Sequence, residues 1–161
     1  MYETVLKTIG LYKNRLISLL IESPDVCQLL LNKSEYDPSE VENLVYTQIF
    51  PYLYVDETQT VVLPYLCIEV DIPRIPTNAI KDMNIIVWVY CHKDGMKYSK
   101  EGFIGTKVDI LGDMVERLLS DSDAFGIGKL HLNSVTYMNS GNSKYYGKQL
   151  LFSCPDFKRK R

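Results

Sequence analysis

The sequence has few of the residues that build catalytic and metal sites. It contains two histidines, one tryptophan and four cysteines in 161 residues. The cysteines are Cys27, Cys67, Cys91 and Cys154, and they form no C-x-x-C pair. Cys91 and His92 are adjacent, so on a strand their side chains point to opposite faces, whereas a zinc site needs ligands that converge. We therefore expect cysteines that act as small buried hydrophobic residues, with no bound metal or cofactor.

Long apolar segments and an excess of positive charge are also missing. The longest apolar run, residues 85–91, is far below the ~20 residues that a membrane-spanning helix needs. The first ten residues lack a signal-peptide layout, which predicts assembly in the cytoplasm. The net charge is −2, and the last four residues, KRKR, are all basic. The acidic remainder disfavours a sequence-specific nucleic-acid-binding domain, which gathers Lys and Arg on one face.

What the sequence does contain is the composition of a folded globular protein, with 46% hydrophobic and 24% charged residues. A chain of this length can bury roughly 70% of its unfolded surface in one core. We predict a single domain over residues 1–157, whose helical N-terminal part spans residues 1–48. Residues 158–161 form a basic C-terminal tip.

Three helices are predicted in the N-terminal part. Apolar residues recur at spacings of three and four over residues 5–20, which indicates an amphipathic helix. The Ser-Pro pair at 23–24 predicts the start of a second helix, which runs to Leu31. The sequence DPSE at 37–40 has capping-box spacing and predicts a third helix that ends near Gln48.

Aromatic and β-branched residues take over after these helices and predict strands. The first candidates are "IFPYLYV" at 49–55 and "VVLPYLCIEVDI" at 61–72. Pro64 and Pro73 bracket the second candidate, which predicts a short strand or an edge position because proline donates no ladder hydrogen bond. The nearly unbroken apolar run at 83–92 predicts a central strand that is covered on both faces.

The rest of the chain predicts a helix and a hairpin. Residues 72–82 are expected to form a loop, and residues 106–119 form an amphipathic helix. The segments 129–138 and 145–154 then flank a turn-rich linker and predict an antiparallel hairpin. The fold class is therefore α+β: a mostly antiparallel sheet with an N-terminal amphipathic helix and a second long helix packed on one face, closed by a C-terminal β-hairpin.

Two glycines in "AFGIGKLHLNSV", Gly126 and Gly128, raise the possibility of a phosphate-binding loop. Such loops lead from a strand into the N-terminus of a helix, where free amides meet the anion. Here a helix precedes the glycines and a strand follows them, so the nearest helix end carries carbonyls and partial negative charge. Gly126 and Gly128 are therefore predicted to form a structural corner with unusual backbone angles.

Glu69 and Asp71 are the candidates for catalysis. Two carboxylates at i and i+2 on a strand project from one face about 7 Å apart, a spacing that acid–base chemistry can use. The same alternation is typical of a solvent-facing strand surface, where Arg74 or Lys81 could pair with them. A small enzyme with an acidic site thus stands as an alternative to a non-catalytic protein.

Two segments carry a resemblance to a known class. These are "IEVDIPR" at 68–74 and "TKVDILGDMVERLLSDSDAFGIGKLHLNSV" at 106–135. Together with the order of helices and strands, they resemble neck proteins of tailed bacteriophages, in particular tail terminator and tail completion (head-tail joining) proteins of phages that infect Gram-positive bacteria. The resemblance in element order covers nearly the whole chain, and its motifs carry no catalytic residues.

The resemblance implies a non-enzymatic virion subunit that assembles as a ring, commonly a hexamer. The ring caps the tail tube on the side that faces the head. Its partners are other copies of itself, the tail tube protein and the head-closure or connector proteins, and DNA passes through the lumen without sequence-specific binding. A head-side connector or head-closure protein of the same neck is the alternative within this class.

Ring subunits need contacts between two different surfaces. The polar connection at 93–103 and the hairpin tip at 139–146 are long enough to reach a neighbour. Tyrosines favour interfaces, and the basic tip could order against an acidic neighbour. The expected subunit-interface residues are Tyr98, Phe103, Tyr137, Tyr145, Tyr146, Lys158 and Arg159. A further hypothesis is that the KRKR tip binds nucleic acid through phosphates.

Overall fold

The computed structural model describes residues 4–138 and 141–157, in which helices pack on one face of a five-stranded sheet. The helices are α1 (Val5–Ile21), α2 (Pro24–Leu31), α3 (Pro38–Glu42) and α4 (Lys107–Leu119), with a 3₁₀ turn at Lys93–Gly95. The strands are β1 (Ile49–Phe50), β2 (Pro64–Arg74), β3 (Ile80–His92), β4 (His131–Met138) and β5 (Tyr145–Phe157). Their spatial order is β1-β2-β3-β5-β4. Among the strands of the described residues, only β1 and β2 pair in parallel, so the predicted α+β class with a mostly antiparallel sheet is confirmed.

Helices α2 and α3 begin at the predicted capping residues, Ser23 and Asp37. The other two helices begin at threonine caps that were not predicted from the sequence. The Thr4 side chain accepts from the amide of Lys7 at the start of α1, at 3.2 Å. At α4, Thr106 and Asp109 form a reciprocal capping box, with bonds of 3.0 and 3.2 Å. Among the described residues, no helix combines the length and the apolar character that crossing a membrane requires.

Helix α3 is shorter than predicted, because it ends at Glu42 and not near Gln48. Tyr46 takes a left-handed conformation, with φ +67°, and its amide donates to the carbonyl of Ile49 at 2.7 Å. This turn leads the chain into β1. Gln48 then lies buried, and its side-chain amide donates to the carbonyls of Leu30 and Pro64 at 2.7 and 3.1 Å.

The sheet corrects three predictions made for residues 49–82. The segment 49–55 contributes only the two residues of β1, and residues 51–63 form no strand. The prediction of a short strand, or of an edge position at Pro64, is also corrected. Strand β2 has 11 residues, and β1 pairs with it at Leu66 and Cys67, just after Pro64. The expected loop at 72–82 shrinks to residues 75–79, because β2 and β3 both extend into it. Both prolines occupy positions that a strand tolerates, because Pro64 is the first residue of β2 and Pro73 lies in a register shift between Asp71 and Arg74.

Strand β3 is central, as predicted, but its two faces differ. Met83, Ile85 and Val87 point to the helices and are fully buried. On the other face Ile86 and Trp88 stay half-buried, so the expected cover on both faces is wrong along this part of the strand. The Trp88 indole instead donates to the side chain of Gln149 on β5, at 2.8 Å.

Two hydrophobic cores lie on opposite sides of the sheet. The larger core fills the space between the sheet and helices α1, α2 and α4, and its largest buried residues include Leu16, Leu20 and Phe152. The smaller core lies on the outer face, against residues 51–63. It contains Phe50, Tyr65, Cys67, Tyr90, Met138 and Tyr145. Most of its bulk is aromatic, so ring packing stabilises it beyond the area that it buries.

A buried polar network connects four parts of the fold. Lys81 on β3 and Asp156 on β5 are each 1% exposed, and their Nζ and Oδ2 atoms are 3.2 Å apart. Lys81 also donates to the carbonyl of Phe157 at 2.8 Å, and the Tyr12 hydroxyl of α1 donates to Asp156 at 3.0 Å. The amide of Gly126 donates to the same hydroxyl at 3.2 Å. Each buried charge therefore has both an ionic and a hydrogen-bonding partner, which offsets its desolvation.

Candidate functional site

The corner after α4 is built from two glycines with positive φ, +61° at Gly126 and +77° at Gly128. Only Gly126 is confined: a Cβ there would lie 2.5 Å from Cys154 Sγ and closer still to the carbonyl of Pro155. The amide of Ile127 donates to Pro155 at 2.6 Å, and that of Gly126 donates to Tyr12. These amides bond to protein acceptors, so the corner offers them to no phosphate.

The two strand carboxylates of the enzyme hypothesis have separate surroundings. Glu69 pairs with Lys13 of α1 at 2.7 Å, and Asp71 is exposed opposite Asn84 on β3. The expected partners, Arg74 and Lys81, pair elsewhere, because Arg74 lies 3.4 Å from Asp82 and Lys81 is held by Asp156. Within residues 4–138 and 141–157, no group of three His, Cys, Asp or Glu residues is arranged to hold a metal ion.

Tyr98 and Phe103 lie half-buried in the connection between β3 and α4. The Lys107 ammonium lies 5.5 Å from the Tyr98 ring, and the Arg117 guanidinium lies 4.1 Å from the Phe103 ring. Arg117 also donates to the carbonyl of Gly102 at 3.0 Å. These contacts fix the connection on α4. Ile104, the residue after Phe103, is 93% exposed, a feature that sequence reasoning missed.

Tyr137 and Tyr146 come together at the free edge of the sheet. Their ring centroids are 5.3 Å apart, with Tyr137 66% exposed and Tyr146 half-buried. Val135, 50% exposed, projects from the same face of β4, two residues away. We call these three residues the β4-edge surface. Lys148 lies opposite Tyr137 in the sheet register and supports this surface from β5.

The base of the β4-edge surface is an ion pair to α4. Lys148 Nζ lies 2.5 Å from Asp109 Oδ1. Partial burial raises the pKa of Asp109, but hydrogen bonds from Lys148 and Thr106 outweigh it and hold the pKa below its ordinary value. The hydrogen bond to Asp109 raises the pKa of Lys148. Both groups stay charged at neutral pH and neutralise each other beside the tyrosines.

Tyr145 does not belong to the expected contact surface. It is 5% exposed, and its hydroxyl donates to the carbonyl of Val61 at 2.6 Å. Its ring meets Tyr65, Tyr90 and His92 edge-on or nearly so, at 5.3–6.0 Å. Alternation along β5 puts Tyr145 on the face opposite Tyr146, where the outer core covers it. The other two expected contact residues, Lys158 and Arg159, lie outside the described residues.

A groove that sequence reasoning missed lies at the other edge of the sheet. It runs between α1 and residues 45–52 and encloses about 580 Å³. We call it the β1-edge groove. It is lined by Gly10, Lys13, Asn14, Ile17, Ser18, Val45, Tyr46, Pro51 and Tyr52. The sequence predicted one helix over residues 38–48, and such a helix would place Tyr46 away from β1. For this reason the groove was not predicted.

Tyr46 is the outermost member of a chain of aromatic rings. Its ring centroid lies 6.4 Å from that of Tyr52, which lies 6.0 Å from Phe50. Phe50 in turn lies 6.4 Å from buried Tyr65, which stacks on Tyr90 at 5.2 Å. Exposure falls along this chain from 61% at Tyr46 to 3% at Tyr90. The groove wall is therefore anchored on the outer core.

The buried cysteines match the interpretation from the sequence. All four lie at 4% exposure or less, and they are free thiols. Burial raises the pKa of Cys91 to about 11, and it also raises the pKa of Cys67. Neither thiol forms appreciable thiolate at neutral pH, so these cysteines act as core residues.

Comparison with known proteins gives one family. No curated protein matches the sequence significantly. The model of the YomW family matches residues 23–154, which run from α2 through most of β5 and include both edges of the sheet. The chain therefore belongs to the YomW family, a phage-derived, Bacillus-type protein family.

Proposed function

We propose that this YomW-family chain is a structural virion protein of the phage neck. In this role it forms a ring, commonly a hexamer, that terminates the tail tube and joins the tail to the head. The observation that carries the proposal is the pair of exposed aromatic surfaces at opposite edges of one sheet. A ring subunit needs two different contact surfaces, one for each neighbour.

Two further observations support the proposal. The family is phage-derived. The observed order of helices and hairpin strands is also the order on which the resemblance to tail terminator and tail completion proteins rests. Of the two carboxylates that the enzyme hypothesis needs, Glu69 is paired with Lys13 and Asp71 is exposed. The partners of the ring are the tail tube protein and the head-closure or connector proteins, and its location is the virion neck. The net charge of −2 suits a lumen that DNA crosses without adhering.

The test is deletion of this gene in a phage that carries it, followed by electron microscopy of the particles. We expect filled heads, tails of irregular length and few joined particles, and we expect a plasmid copy of the gene to restore joining. Localisation of the tagged protein at the head–tail junction would support the neck position. Normal particles from the deletion phage, with no tagged protein in wild-type particles, would contradict the proposal.

A further inference from the structure

We propose that residues 51–63 form a strap that detaches from the outer face of the sheet as a unit while the rest of the fold stays intact. We call this segment the outer strap. In its closed position it covers the smaller core and contributes Pro51 and Tyr52 to the β1-edge groove. Detachment uncovers an aromatic face and removes one wall of the groove. The change takes place within a single chain, so it does not depend on the proposed neck role.

The outer strap adds little buried surface to the fold. No residue between 51 and 63 is buried, whereas Cys67 and Tyr90 beneath the strap are 0% and 3% exposed. Its contacts with the smaller core include the half-buried side chains of Val55 and Leu63. Other apolar side chains of the strap are 45–48% exposed, namely those of Leu53, Val61 and Val62. A segment with few buried apolar contacts opens at a lower free energy than the whole fold unfolds.

Hydrogen bonds from side chains attach the outer strap, since the structure assigns no strand to residues 51–63. Asn142, between β4 and β5, donates from its side-chain amide to three strap carbonyls, each at 3.1 Å, those of Asp56, Glu57 and Gln59. The hydroxyls of Tyr90 and Tyr145 donate to two more, those of Tyr54 and Val61. All these acceptors lie on one short segment, so the bonds break together. Water then takes the place of each lost partner, and a bond of this kind adds only modestly to closure.

The two ends of the outer strap are held next to each other by the sheet. Phe50 precedes the strap and pairs with Cys67 in the parallel β1–β2 pair, and Pro64 follows the strap as the first residue of β2. Because residues 51–63 belong to no strand, the sheet stays intact when the strap lifts. A compact surface loop whose ends lie close together can open without disturbing the elements that it connects. The lifted segment gains backbone conformational entropy, which offsets part of the cost of exposing the aromatic rings.

Cys67 reports on the position of the strap. Its Sγ atom lies in the smaller core, 3.8 Å from the carbonyl oxygen of Tyr54 on the strap and 4.0 Å from the hydroxyl of Tyr90. Cys27 on α2 is equally buried but belongs to the larger core, on the other side of the sheet. Opening of the strap therefore exposes Cys67 and leaves Cys27 covered, whereas global unfolding exposes both thiols.

Iodoacetamide labelling of the native protein, with peptide mapping by mass spectrometry, tests the opening. The labelling rate of each cysteine is divided by its rate in the urea-unfolded chain, which removes differences in intrinsic reactivity. We expect this relative rate to be about tenfold or more higher for Cys67 than for Cys27. Equal relative rates would mean that only global unfolding exposes Cys67, and they would overturn the inference. They would leave the proposed neck role untouched.

Asn142→Asp should loosen the strap and not the rest of the fold. The change keeps an acceptor for the amide of Lys144, which donates to Asn142 Oδ1 at 3.0 Å, but it puts a carboxylate against the strap carbonyls in place of a donor. We expect the Cys67 rate to rise by about tenfold or more and the Cys27 rate to change by less than about twofold. Equal acceleration of both rates would overturn the inference.

Asn133→Asp is the matched control, because it makes the same chemical change on β4. The Asn133 side chain donates to the hydroxyl of Ser153 on β5, at 2.7 Å. Both labelling rates should stay as in the wild type. A rise in the Cys67 rate as large as that of Asn142→Asp would show that the strap bonds of Asn142 are not the cause, and it would contradict the attachment described above.

Filling the groove tests the link between the groove and the strap. Gly10 lines the groove on α1, and a Cβ there would meet no atom within 4 Å. Gly10→Phe places an aromatic ring beside Pro51 and Tyr52, where it buries apolar surface only while the strap is closed. Relative to Gly10→Ala, which gains helix propensity without filling the groove, the ratio of the Cys67 rate to the Cys27 rate should fall by about threefold or more. An unchanged ratio would show that the groove wall does not move with the strap, and it would overturn this link.

Discussion

The backbone N–H of Gly126 donates a hydrogen bond to the hydroxyl of Tyr12, at 3.2 Å. This bond joins the corner after α4 to the first helix, and it places Gly126 against β5. Replacement of Gly126 by Ala should lower the free energy of unfolding by about 2–4 kcal/mol, since a left-handed φ and an overlap with Cys154 add. Gly128 also has a positive φ, but a Cβ there would overlap no atom. Gly128→Ala should therefore lower the free energy of unfolding by only about 1 kcal/mol. Equal losses in urea titrations would show that the corner is not confined as described.

Removal of one partner of the buried ion pair should be severe. Lys81→Met leaves the Asp156 carboxylate buried without its cation, and we expect a loss of about 3–5 kcal/mol in the free energy of unfolding. The double variant Lys81→Met/Asp156→Leu should recover much of this loss. Arg74→Ala is the control, because its pair with Asp82 is exposed and is worth at most about 1 kcal/mol. Similar losses for Lys81→Met and Arg74→Ala would contradict the assignment.

Alkaline pH should destabilise the outer core through Tyr145. Burial raises the pKa of Tyr145 from 10.0 to about 12. A raised pKa in the folded state means that the contribution of this group to stability is complete below pH 10, and is lost as the pH rises through 12. Tyr145→Phe should cost about 1 kcal/mol at pH 8, since the bond to Val61 is lost. Its stability should then decline less than that of the wild type between pH 10 and 12. Parallel declines in urea titrations would contradict this.

Tyr46 should show opposite effects on folding and on association. Asn adopts the left-handed region with less strain than a bulky residue. Tyr46→Asn should therefore leave the free energy of unfolding unchanged or raise it by up to about 1 kcal/mol. The same variant removes one wall of the β1-edge groove and should weaken self-association. Light scattering and urea titration of the same sample measure both effects. A strongly destabilised Tyr46→Asn variant would mean that Tyr46 serves folding and not assembly.

Patterns of residues along single elements allowed most of the fold to be predicted. The periodicity of 106–119 predicted α4, and the apolar run at 83–92 predicted the central strand. Pairing between distant segments was harder to predict. Strand β2 reaches Arg74 through a register shift at Ile72 and Pro73, because β3 offers a long antiparallel partner that the local sequence does not reveal.

The candidate site was predicted less completely, for reasons of conformation and reach. The reach of the hairpin tip and the preference of tyrosine for interfaces indicated Tyr137, Tyr145 and Tyr146, but the burial of Tyr145 depends on residues 51–63, far away in sequence. The β1-edge groove depends on a left-handed tyrosine, which residue identity does not indicate. Lys81 and Asp156 look like ordinary surface charges in the sequence, and only the pairing of β3 with β5 makes them neighbours.

That pairing has a consequence for how the two longest strands find each other. β3 and β5 each have 13 residues and share many apolar positions, so a slip of two residues would keep every side chain on its own face. Lys81 and Asp156 stand directly opposite each other in the native register. A slip would bury both charges apart, at a cost of several kcal/mol for each. The ion pair thus selects the native register of β3 and β5 among several registers that would bury similar hydrophobic surface.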